Sequence, residues 1–129
     1  MKCALLYDFD GTLAEGDCAQ HGVMPELEIT DIPAFWASVK RRAKDDDGDE
    51  ILTYLGMLAE RARMLKSDVL STEKLMMHGQ SIPLFSGVES WFDRIDRFAE
   101  SIDLELEYYI ISSGLDSMIR GTCIGNKFR

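Results

Sequence analysis

Two short apolar runs at opposite ends of the chain, KCALLY at 2–7 and LELEYYII at 104–111, constrain the fold more than any other feature. Neither has a helical period, so both read as strands. KCALLY reads as buried, and LELEYYII alternates before turning fully apolar, as a strand entering a buried parallel sheet does. Helical patterns fill most of the sequence between them. A strand, a helical crossover and a second strand make a βαβ unit with parallel strands and a right-handed connection. The fold class is therefore α/β. One helix suffices for the crossover; the surplus helices read as an inserted cap.

The helical stretches are placed by their end signals. Residues 11–32 are rich in turn formers and acids and read as irregular. Asp31 is an N-cap with Pro33 just inside a helix reaching about Lys44, with Trp36, Val39 and Ala43 on its apolar face. The run Asp45, Asp46, Asp47, Gly48, Asp49 breaks that helix, and its charge suits the N-terminus of the next. That next helix, from about Asp49 to Lys66, carries Ile51, Leu52, Leu55, Leu58, Ala59, Ala62 and Leu65 as its apolar face. Ser71 caps a shorter helix stopped by Gly79. Ser86 and Glu89 form a capping box, and Val88, Trp91, Phe92, Ile95, Phe98, Ala99 and Ile102 recur as one apolar face. A last helix starts near Ser112–Gly114 and runs to about Arg120.

At 129 residues and 46% apolar composition, the chain is one domain by length with a packed core and a modest insertion. The formal charge of -9 argues against nucleic acid or an anionic membrane as the main partner. It leaves room for a small phosphorylated substrate, because a bound metal ion inverts the local sign. Cys3, Cys18 and Cys123 are odd in number and lack CxxC spacing, which argues against a disulfide framework or a zinc site. They read as buried or half-buried thiols of a reducing compartment. The first apolar run meets Asp8 too early for a signal peptide or a membrane span, so the expected location is cytoplasmic.

Both strands end in chemistry. The first meets Asp8, Asp10, Gly11 and Thr12; the second meets Ser112, Ser113 and Gly114. In open parallel sheets, ligands bind beyond the carboxyl ends of the strands. If the strands are neighbours, two carboxylates converge with a hydroxyl and the amides of a helix start. Paired carboxylates need a cation or a shared proton, and magnesium, which takes carboxylate and phosphate oxygens, suits them. One aspartate can attack phosphorus while the other moves protons. Gly11 lets the chain turn sharply, and Thr12 can hold the loop. Two other signals fall away. The GxxxxG spacing of Gly11 and Gly16 is followed by Asp17 where a phosphate-binding loop needs lysine. The Asp45–Gly48 run lacks the glutamate of a calcium loop.

DFDGTL and IISSG resemble motifs I and II of the haloacid dehalogenase superfamily. AFWASVKRRAKDDDGDEILTYL, PLFSGVESWFDRI and YYIISSGLDSMI are similar to a phosphatase-like branch with a helical cap between those motifs. The resemblance implies a Rossmann-like core at 1–14 and 82–129 and a cap at 15–81. It implies magnesium-dependent phosphomonoester hydrolysis, with Asp8 as nucleophile and Asp10 as general acid/base. Ser112 would hold the transferring phosphoryl group, with Ser113, Gly114 and Gly11 beside it, and Asp8 and Asp10 would bind magnesium. It also implies a motif III lysine and an acidic motif IV downstream. Lys127 sits too early for the former, so the 129 residues are expected to be an incomplete N-terminal portion, inactive alone. The alternative is a non-catalytic phosphate- or metal-binding or interaction module on the same fold. A two-stranded sheet with unpaired edges invites self-association.

Overall fold

The computed structural model describes all 129 residues. Strand β1 (Lys2–Tyr7) pairs in parallel with β2 (Glu105–Ile110), in a register running from Lys2 opposite Glu105 to Tyr7 opposite Ile110. Between them lie helices α1 (Val23–Glu26), α2 (Ile32–Asp45), α3 (Glu50–Leu65), α4 (Thr72–Gly79) and α5 (Val88–Ser101), and α6 (Asp116–Gly121) follows. The architecture is α/β with a two-stranded parallel sheet.

Residues paired across a parallel ladder point to the same face. Leu5 and Tyr7 therefore share a face with Tyr108 and Ile110, and that face packs on α5. Phe92 of α5 stands edge-on to Tyr7 and Tyr108, at centroid distances of 5.8 and 5.1 Å. Trp91 adds a hydrogen bond from its indole N–H to the Tyr7 hydroxyl, 2.8 Å. The opposite face is open: Leu6 is 58% exposed. The strands are thus covered on one side, not buried on both as their apolar runs suggest. The periodicity of α5 likewise overstates its burial. Phe92 and Ala99 are buried, whereas Phe98 and Ile102 face solvent.

The α5 start also differs from its sequence reading. No Ser86–Glu89 capping box forms; Gly87 is the N-cap, at φ +88°. Its left-handed backbone, favoured by glycine, lets the Val88 N–H bond the Phe85 carbonyl, and a tight turn replaces the box. The other caps form as read. Asp31 accepts from the Ala34 N–H, Asp49 from Leu52 and Ser71 from Lys74.

Residues 11–32, which read as irregular, form the centre of the core. Leu13, Ala14, Cys18, Ala19, Val23, Met24 and Leu27 are all buried. A 3-10 turn at Cys18–Gln20, capped by Asp17, and the short α1 carry them. Ala14 bridges Leu84 in antiparallel fashion, so the chain departs after residue 14 and returns beside its own point of exit.

α4 packs on α6 through two glycines. A Cβ on Gly79 would lie 2.1 Å from the Met118 carbonyl oxygen, and one on Gly121 the same distance from that of Met76. Gly79 is the last residue of α4, with Gln80 as the C-cap, and the close approach of two backbones requires a glycine there. α2 and α3 pair beside this unit, tied by a two-pronged Arg42–Glu60 contact at 2.7 and 2.8 Å. α3 turns Tyr54, Leu58 and Ala62 inward and leaves Ile51 and Leu52 exposed, a rotation away from the face read from its leucines. No helix is long and apolar enough to cross a membrane.

Candidate active site

The register sets the two strand ends level, with Tyr7 opposite Ile110. The Ile111 N–H bonds the Tyr7 carbonyl and prolongs the ladder one step, so Asp8 and Ser112 leave the sheet side by side. Asp8 is exposed. Its carboxylate accepts from the Phe9 N–H at 2.8 Å and from the Thr12 hydroxyl at 3.3 Å. Gly11 then turns the chain at φ +74°, with open space around a would-be Cβ, so conformation alone calls for glycine.

Asp10 points inward. One oxygen accepts from the Cys18 N–H at 2.9 Å. The other lies 3.2 Å from the point where a Gly114 side chain would begin; the Ser112 hydroxyl lies 3.2 Å from that point, and the Cys18 sulfur 3.0 Å. Gly114 is thus the gap in which the Asp10 carboxylate and the Ser112 hydroxyl approach each other. Any side chain there would press on both.

Burial raises the Asp10 carboxyl to about 6, aided by the charge of Asp17 and, less, by that of Asp8; the Cys18 amide opposes the shift. Burial also raises Asp17, whose carboxylate accepts from the Ala19 N–H at 3.2 Å. The Cys18 thiol, fully buried and accepting from the Leu115 N–H at 3.2 Å, is pushed up to about 12 by desolvation. It is an inert packing thiol at neutral pH. Cys3 and Cys123 are exposed, contrary to their reading as buried or half-buried.

The phosphate-facing amides expected from the sequence are only partly free. The Gly11 N–H bonds Ala14 at 2.8 Å, and the Gly114 N–H bonds the Ser112 oxygen at 3.0 Å. The Ser113 N–H meets no acceptor within the chain. α6 begins at Asp116, past these residues, so the Ser112–Gly114 loop is a turn and not a helix start.

Three carboxylate or thiol ligand atoms, from Asp10, Asp17 and Cys18, lie within 4.8 Å of one another. Asp8 is outside this group. A protonated, soft sulfur gives the group no fit to a hard cation. Oxygen donors of the right kind stand at Asp8, whose carboxylate faces no lysine or arginine, and at the Asp10 main-chain carbonyl, which accepts no hydrogen bond.

Several residues beside the site were not singled out from the sequence as site residues. The Tyr54 hydroxyl of α3 donates to the Ser113 carbonyl at 2.9 Å, linking the helical insertion to the loop after β2. Trp36, read as a core residue, is only half-buried; its ring meets that of Tyr54 at a 54° tilt, centroids 5.2 Å apart, and borders a cleft with Asp10, Asp17 and Glu50. Their signal was faint: an aromatic at the inner face of a helix looks like any core residue. Lys127 lies elsewhere, bonded to Asp93 of α5 at 2.7 Å. The two histidines have structural partners, His21 the Glu15 carbonyl and His78 the Glu26 carboxylate.

No protein-family model and no solved structure matches the chain. It is 28% identical over 130 residues to a protein of Borreliella burgdorferi described as an uncharacterized protein. The match covers 94% of this chain and 45% of that relative, so the chain spans less than half the relative's length.

Proposed function

We propose that the chain carries the phosphoryl-transfer half of a magnesium-dependent phosphohydrolase of the haloacid dehalogenase type, with a Rossmann-like core and a helical cap inserted between residues 14 and 82. The observation that carries this reading is that the Asp10 carboxylate and the Ser112 hydroxyl each lie 3.2 Å from the one point where a Gly114 side chain would begin, beyond the ends of two paired parallel strands. Asp8, exposed at the first strand's end, attacks phosphorus and becomes an aspartyl-phosphate. Asp10 donates a proton to the leaving oxygen and then takes one from water. A carboxyl raised to about 6 is suited to both directions near neutrality. The Ser112 oxygen is oriented by the Gly114 N–H, so its hydrogen is free to donate to a phosphoryl oxygen, with the Ser113 N–H alongside.

Magnesium would be held by the Asp8 carboxylate and the Asp10 carbonyl. When bound it supplies the positive charge that offsets the phosphate and this acidic site. The substrate is a small phosphomonoester, and the helices that border the cleft select it and limit water. The direct test is hydrolysis of a panel of phosphomonoesters, with magnesium, by this chain joined to a downstream segment that supplies the lysine and the acidic motif the resemblance implies. Turnover that is lost in Asp8→Asn is expected; turnover unchanged in Asp8→Asn refutes the assignment.

One observation favours a second reading, a phosphate- or metal-binding module without turnover. Lys127, the lysine nearest the chain end, is engaged with Asp93, and no lysine or arginine adjoins Asp8 or Asp10. Magnesium-dependent binding of beryllofluoride without hydrolysis of any ester would support that reading.

A further inference from the structure

Helix α3 of the insertion reaches the loop after β2 through a buried side chain. The Tyr54 hydroxyl donates to the Ser113 carbonyl at 2.9 Å, across 59 positions of sequence. No main-chain amide bonds that carbonyl, so the tyrosine is its partner within the chain. We infer that Tyr54 is a positioning residue: its hydroxyl fixes the Ser113–Gly114 peptide so that the Ser112 hydroxyl keeps its hydrogen for the phosphoryl group. The inference rests on the phosphohydrolase reading for the task of Ser112, and on the loop's own bonds for the relay.

The Ser113 carbonyl and the Gly114 N–H belong to one planar trans peptide, so they point in opposite directions and turn together. The Gly114 N–H donates to the Ser112 oxygen at 3.0 Å. Holding the carbonyl at one end therefore holds the donor at the other. With its oxygen engaged as an acceptor, the serine offers its hydrogen to an incoming phosphoryl oxygen. The opposite peptide orientation costs little backbone strain. Turning over a peptide that precedes glycine needs a positive φ at the glycine, the change that relates type I and type II turns. Gly114 is not at positive φ here. The flip would swing the Ser113 carbonyl toward Ser112, whose hydroxyl would then donate to it and lose its hydrogen for substrate. The Leu115 N–H is bonded to the Cys18 sulfur at 3.2 Å, so the far end of the loop stays anchored while this peptide turns. The Tyr54 hydroxyl opposes the flip, and it does so only while α3 is docked on the loop. The insertion and Ser112 are linked by that bond.

Tyr54→Phe keeps the ring and removes the hydroxyl. In NMR spectra of this chain, the Ser112 Hα–Hβ couplings should move from those of one rotamer toward an average of several, and the Gly114 amide proton should shift upfield as its bond is lost. In the chain joined to the downstream segment, Tyr54→Phe should lower kcat about tenfold and leave KM within about twofold. In a Ser112→Ala background the same change should matter less than about twofold, because the relay ends at the serine. Unaltered Ser112 couplings, an undiminished kcat, or an equal loss in the Ser112→Ala background overturns the inference. Turnover that is lost in Asp8→Asn but untouched by Tyr54→Phe overturns it alone. Altered couplings without turnover of any ester leave the relay standing and remove the phosphohydrolase reading.

Discussion

Asp10→Asn should stabilise the protein while removing the acid/base proposed for it. The folded state holds this carboxyl at about 6 against an ordinary value of 3.8, chiefly because burial penalises its charge. Between those values the native state binds a proton that the unfolded state has released, so stability falls as pH rises through the window. The cost is absent below about pH 4 and fully present above about pH 6. The shift corresponds to about 3 kcal/mol. Asp10 keeps partial solvent contact, and screening reduces the net cost to about 1–2 kcal/mol. Asparagine carries no charge and can still accept the Cys18 N–H through its carbonyl oxygen. Urea unfolding in EDTA at pH 7.5 should therefore show Asp10→Asn more stable by about 1–2 kcal/mol, and at pH 3.5 the difference should vanish. A destabilised variant at pH 7.5, or a gain of equal size at both pH values, would refute the reasoning.

Other outcomes follow from the packing. Gly121→Ala puts a Cβ against the Met76 carbonyl and should cost about 1–3 kcal/mol by urea unfolding, despite alanine's better helix propensity. Tyr54→Phe removes the bond to the Ser113 carbonyl and should cost about 1 kcal/mol, with faster amide exchange confined to the Ser112–Leu115 loop. Leu6 and Ile111 on the open side of the sheet, 58% and 64% exposed, favour self-association. Light scattering should show oligomers that Leu6→Lys reduces, and a clean monomer at all concentrations would contradict this.

The parts of the fold legible in the sequence were those governed by local chemistry. Asp31, Asp49 and Ser71 cap their helices because a short acceptor followed by a helical pattern satisfies the first free amides wherever it occurs. The two strands pair in parallel because a crossover leaves few alternatives. The convergence of Asp10 with Ser112 followed from that pairing. What was not legible depends on distant partners. Cys18, Val23 and Met24 are interspersed with acids and turn formers, without a period, and their burial is set by the elements that close over them. Gly79 and Gly121 are 42 positions apart in sequence, and nothing local marks them as one contact. Phe98 and Ile102 show that apolar spacing marks a face able to be buried, not a face that is covered. Glu89 had the spacing of a capping box, but the left-handed Gly87 offered the chain a tighter turn.

The role of Asp8 can be observed in one measurement. Under the proposed roles, Asp10→Asn leaves Asp8 free to attack but removes the base that would release it, so a phosphorylated protein should accumulate. Acetyl phosphate is a suitable donor, since acetate leaves without protonation: the Asp8 oxygen bonds to phosphorus as the bond to acetate breaks. Borohydride reduction of the acid-quenched protein converts an aspartyl-phosphate to homoserine, which peptide mass spectrometry locates. Magnesium-dependent homoserine is expected at position 8 alone. Homoserine at position 17 instead, or none at position 8 when acetyl phosphate is consumed, would contradict it.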